Sequence, residues 1–110
     1  MICQICEEEM PFKKRDGEYY FEAVELFTED VALPKEDEAQ YLALCPVCAA
    51  KYKEFVKNDR SEMIDLREAI INAKDCEIPV TLGDTRTSIR FVETHCQDVK
   101  GILARRKNIY

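Results

Sequence analysis

An α+β fold with the element order β-β-α-α-β-β-α is predicted by three features of this 110-residue sequence. Two Cys-x-x-Cys pairs, "CQIC" at 3–6 and "CPVC" at 45–48, bracket the first part of the chain. Two stretches rich in β-branched and aromatic residues each contain an Asp-Gly or Gly-Asp turn signal. Three further stretches repeat apolar residues at helical spacing.

The stretch "MPFKKRDGEYYFEAVELF" predicts a first β-hairpin turning at Asp16-Gly17. "TEDVALPKEDEAQ" follows, acidic, broken by Pro34 and without apolar period, so it reads as a loop. Its carboxylates Glu29, Asp30, Glu36, Asp37 and Glu38 lack the alternating Asp and central Gly of a calcium loop. Tyr41, Leu42 and Leu44 lead back to the second cysteine pair. From Pro46, a residue suited to a first helical turn, Cys48, Tyr52, Phe55 and Val56 form one stripe of a helix. Asp59 and Glu62, at capping-box spacing, open a second helix with Met63, Leu66, Ile70 and Ala73 on its apolar face.

"CEIPVTLGDTRTSIRFV" predicts a second hairpin around Gly83-Asp84, with Pro79 placing its strand at an edge. Thr94 and Gln97 form a T-x-x-Q box opening a last helix whose stripe is Cys96, Val99, Ile102 and Leu103. The chain is expected to form one domain over 1–110, a cysteine-bearing unit at 1–57 extended by a packed helix, hairpin and helix at 58–110.

With 16 basic and 22 acidic residues, the formal charge of −6 excludes a global basic field of the kind that drives non-specific nucleic-acid binding. The asymmetry is marked: 12 acidic and 4 basic residues fall in 1–45, against 10 and 12 in 46–110. Any nucleic-acid surface is therefore expected on the second part. Its candidates are Lys51, Lys53 and Lys57 on the first helix and Arg105, Arg106 and Lys107, with Lys100 upstream, on the last. Both sets are also what the polar face and the C-terminal end of an ordinary helix carry.

No apolar run or basic leader precedes Cys3, which predicts no membrane span and a cytoplasmic location. In a reducing compartment, six cysteines with this spacing read as metal ligation rather than disulfides. Thioredoxin-like chemistry needs one reactive pair beside a βαβ unit, a pattern missing here. Two residues between cysteines let both sulfurs face one ion, and two such pairs complete a tetrahedral shell at Zn–S distances of about 2.3 Å. Cys3, Cys6, Cys45 and Cys48 are thus the expected ligands of a structural Zn²⁺, iron being the alternative occupant. Four cysteines close the shell, whereas catalytic zinc keeps an open position. Knuckle, hairpin and a helix whose start supplies the last two ligands make the treble-clef zinc-finger arrangement. His95 and Cys96, near Cys76, read as cap and core residues, because adjacent helical positions point about 100° apart and cannot easily share an ion.

Over residues 1–57 the chain resembles the HNH endonucleases, the ββα-metal nucleases, in their four-cysteine treble-clef form. In that family a His at the end of the second hairpin strand activates water, an Asn precedes the second cysteine pair, and a His or Asn follows its last Cys to bind the catalytic ion. Here Val24 and Glu25 stand at the first place, Gln40 at the second and Ala49 at the third. The resemblance implies a scaffold without the catalytic set, since Val24 accepts no proton and Ala49 ligates nothing. It implies a degenerate module binding protein or nucleic acid. The alternative is an active divalent-metal nuclease using carboxylates such as Glu25. The tail "IPVTLGDTRTSIRFVETHCQDVKGIL" is similar to a segment that follows HNH-type domains in larger bacterial proteins. A ligand as early as position 3 agrees with an excised piece of such a chain, fused to other domains.

Overall fold

The computed structural model describes residues 1–27 and 40–107, with side chains to residue 103. The acidic carboxylates Glu29, Asp30, Glu36, Asp37 and Glu38 lie outside the described residues. The ordered elements are strands β1 (Glu22–Glu25) and β2 (Tyr41–Leu44), helix α1 (Pro46–Tyr52), helix α2 (Arg60–Asn72), strands β3 (Glu77–Leu82) and β4 (Thr85–Arg90), and helix α3 (Glu93–Lys107). The architecture is mixed α+β, with two antiparallel pairs, β1–β2 and β3–β4. Among the described residues, no helix is long and apolar enough to cross a membrane.

The first pair differs from the expected hairpin. The Asp16-Gly17 turn forms, with the Gly17 N–H donating to the Lys14 carbonyl at 3.0 Å and Gly17 at φ +89°. Its arms, however, make only the isolated bridge Lys13↔Tyr19. β1 instead pairs with "YLAL", Val24 opposite Leu42 and Glu25 opposite Tyr41. The alternation decides it: Val24, Leu26, Leu42 and Leu44 all bury on one face, and that face needs a second apolar strand that the basic arm "FKKR" cannot supply.

α1 starts as predicted, with Cys45 as N-cap and Pro46 in the first turn. It then runs into a π-helical turn, Lys53–Lys57, in which the Asn58 N–H reaches back to the Lys53 carbonyl at 3.1 Å. Tyr52 and Val56 stay buried, but Phe55 leaves the expected stripe, 43% exposed, and its ring faces Gly83. α2 is capped by Asp59, whose Oδ1 accepts the Glu62 N–H at 3.2 Å, and buries Met63, Leu66 and Ile70. Ala73 falls just past its end, in extended conformation, where its carbonyl accepts from Lys100 Nζ at 2.8 Å.

β3 and β4 turn at Gly83-Asp84 with Gly83 at φ +65°, and Pro79 sits opposite Ser88 in a pair whose strands are both edges. α3 begins at Glu93, one residue before the expected Thr94 cap, because the Val92 carbonyl already accepts the Cys96 N–H at 2.9 Å. Its stripe is as expected: Cys96, Val99, Ile102 and Leu103 are all buried. The buried apolar residues form one cluster running from Cys3 to Leu103.

Candidate metal centre

The four paired cysteines meet. The Sγ atoms of Cys3, Cys6, Cys45 and Cys48 all lie within 4.8 Å of one another, and Cys6 and Cys45 are 3.9 Å apart. A tetrahedron with ~2.3 Å metal–sulfur arms has sulfur–sulfur edges of about 3.8 Å. The cluster is therefore fit to hold one metal ion. Cys3 and Cys48 are buried, Cys45 is half-buried and Cys6 faces solvent.

The backbone prepares both pairs for this. In residues 1–10 a tight loop closes through the Cys3 N–H to the Glu8 carbonyl (3.0 Å), the Glu7 N–H to the Cys3 carbonyl (3.1 Å) and the bridge Ile2↔Glu9, with Glu7 in a left-handed conformation at φ +62°. Such a knuckle exposes N–H groups to the sulfurs. Burial opposes ionisation of Cys3, but the N–H groups of Cys45, Ile5 and Cys6 outweigh it and move its thiol below the ordinary value. At Cys48, burial and the neighbouring sulfurs push the thiol up. Burial, offset in part by the Glu8 N–H, raises Cys6 as well. The Cys48 N–H points at Cys45 Sγ at 3.5 Å, the capping interaction that opens α1. Thiols such as Cys6 and Cys48, held up by burial and neighbouring sulfurs, become acceptable as thiolates when a cation sits among them.

Two residues not singled out from the sequence hold the knuckle in place. Gln4 uses its side chain twice: Oε1 accepts the Ala43 N–H at 2.7 Å, joining the knuckle to β2, and Nε2 donates to the Arg90 carbonyl at 3.1 Å, joining it to β4. Its backbone repeats both links, its N–H donating to Ala43 O (3.1 Å) and its carbonyl accepting from Arg90 N–H (2.7 Å). The Arg90 guanidinium reaches Glu7 at 2.9 Å and Glu77 at 3.1 Å and donates to the Ile5 carbonyl. Neither residue carries a local pattern signal, since a Gln between two cysteines and an Arg at a strand end are ordinary in isolation.

The other candidate residues are dispersed. Glu25 lies on the face of β1 opposite Val24, away from the buried face. The β1 carboxylate that meets the helical side is Glu22, 3.9 Å from Lys53 Nζ and accepting from the Tyr20 hydroxyl at 3.2 Å. Lys51 and Lys53 are exposed and Lys57 is half-buried. Arg105, Arg106 and Lys107 belong to the last turn of α3, and their side chains lie outside the described ones. Val24 and Ala49 are core residues and Gln40 is buried. Cys76 and Cys96 pack at the start of β3 and on α3, where the Cys96 thiol donates weakly to the Asp75 carbonyl at 3.9 Å. His95 sets its ring edge-on to Phe91, centroids 4.8 Å apart. No protein-family model, curated protein or solved structure matches the chain.

Proposed function

We propose that this chain is a zinc-stabilised, catalytically degenerate HNH-like treble-clef module that binds protein or nucleic acid within a larger bacterial protein. The observation that carries the reading is the four-sulfur cluster, two ligands from a knuckle and two from the first turn of α1, with β1–β2 between them in sequence. Zinc suits this set because thiolates are soft donors and zinc takes four of them tetrahedrally without redox chemistry. A closed shell leaves the ion no position for water, so its role is to hold shape. Ligation of this kind contributes on the order of 10 kcal/mol to folding, comparable with the whole stability of a small domain.

The degenerate reading is supported by what occupies the places of the nuclease residues. Val24 is 2% exposed and Ala49 fully buried, so both positions serve packing. Glu25 faces away from the buried face of its strand, where no second carboxylate is paired with it across β2. Zinc-loaded protein incubated with plasmid and single-stranded DNA in Mg²⁺ or Mn²⁺ is expected to leave both intact. Cleavage that disappears in Glu25→Ala overturns this reading in favour of an active carboxylate-based nuclease.

A further inference from the structure

The turn that joins Phe12 to Tyr20 has a chemistry unlike the rest of the acidic first part. Phe12 and Tyr20 stack as a pair, centroids 4.9 Å apart and planes at 13°, yet Phe12 remains 53% exposed. Tyr20 covers one face of its ring. Between the two rings the chain presents Lys13, Lys14 and Arg15, all exposed. Lys13 Nζ lies over the Tyr19 ring, 5.0 Å from its centroid. Lys14 makes a loose pair with Asp16 at 3.6 Å, both side chains at least half exposed, an interaction that a phosphate can replace at little cost. Arg15 makes no ion pair among the described residues. The tip is also held in shape, by the Lys14–Gly17 turn bond and by the Glu18 N–H donating to Asp16 Oδ1 at 2.9 Å. A fixed tip loses little entropy on docking.

We propose that this turn is a docking site for a single strand of nucleic acid, a base stacking on the exposed part of the Phe12 ring while Lys13, Lys14 and Arg15 meet the adjoining phosphates. The inference rests on the binding-module reading and names its partner and its place. One open ring flanked by cations matches the base-and-phosphate repeat of a single strand. A stable protein interface needs about 800 Å² from each partner, far more than one ring offers. A duplex hides its base faces. Asp16 and Glu18 leave the tip only weakly cationic, so stacking rather than charge carries most of the affinity.

The test is fluorescence anisotropy on the zinc-loaded full chain with a labelled oligothymidylate of about 15 nucleotides. Three phosphate contacts on a single strand predict a slope of log K against log salt of about −2. Phe12→Ala is expected to weaken binding about tenfold, and Arg15→Glu to weaken it and flatten the slope, with zinc content and circular dichroism unchanged in both. Lys74→Glu, at an exposed position outside the turn, should leave binding as it is. Binding that neither tip variant alters, or tighter binding of duplex DNA, overturns the proposal. If the wild-type chain binds none of these, the proposal fails while the zinc-stabilised module stands with a protein partner. Cleavage of the probe instead refutes the module reading itself.

Discussion

Replacing Arg90 by Met tests whether the C-terminal hairpin braces the metal knuckle. The guanidinium makes two ion pairs, with Glu7 and Glu77, whose side chains are 60% and 56% exposed. Pairs this wet contribute about 0.5 kcal/mol each. The donation to the Ile5 carbonyl is different in kind, because a charge-assisted bond to a backbone group is worth ~1.5–3 kcal/mol and its loss strips a knuckle carbonyl of its partner. Met keeps the apolar stem, so packing changes little. The expected loss is roughly 2.5–4 kcal/mol, equivalent to a fall in Tm of about 10–17 °C for a domain of this size. Thermal unfolding of the zinc-loaded variant followed by circular dichroism measures it. Glu7→Gln and Glu77→Gln should each cost about 0.5 kcal/mol or less, and more of their effect than of the Arg90 effect should vanish in high salt. If Arg90→Met costs no more than either Gln variant, the bond to Ile5 does not hold the knuckle and the bracing argument is wrong.

Other expectations follow from the same contacts. Cys45→Ser should unfold the part around the cysteine cluster by removing one sulfur, since Ser still offers an N-cap acceptor to α1, whereas Cys76→Ser should be far milder; equal damage in chemical denaturation would mean the ligands are misassigned. Tyr52→Phe should cost ~1–2 kcal/mol, since it strips the Leu26 carbonyl of a buried hydroxyl donor, and a denaturant midpoint equal to wild type would contradict that. Gly83→Ala should cost about 1 kcal/mol or more, because its φ of +65° disfavours a side chain and the new Cβ would lie 3.2 Å from the Phe55 ring. Burial and the Cys76 thiol push Cys96 up from 9.0 to about 11. The folded chain therefore keeps a proton that the unfolded chain has lost, so stability should fall as pH rises from about 9 to 11. Cys96→Ala should flatten that decline in pH-dependent unfolding of zinc-loaded protein.

How much of this was legible depended on range. The β3–β4 hairpin could be read because its two strands adjoin a two-residue turn with Gly83 at positive φ, and α2 because Asp59 caps it and its apolar residues recur on one face. The meeting of the four cysteines was legible from spacing alone, as two residues between cysteines is already a geometric statement. β2 was not, because its partner lies across the acidic stretch and four residues, "YLAL", carry no turn signal of their own. The π-helical turn that rotates Phe55 outward has no local sequence mark, and so the stripe was drawn one residue too wide. Thr94 looked like a cap, but backbone geometry set by Val92 began α3 earlier. Gln4 and Arg90 carry no sequence signal for a further reason: their roles are tertiary, each linking the knuckle to strands far along the chain.

What the four sulfurs hold is the central question. Elemental analysis of purified protein by mass spectrometry, with thiol titration before and after chelation, tests it most directly. One zinc per chain is expected, bound by Cys3, Cys6, Cys45 and Cys48, with four thiols becoming reactive only when the metal is removed. A metal-free, folded protein, or a coloured sample containing iron, would contradict it.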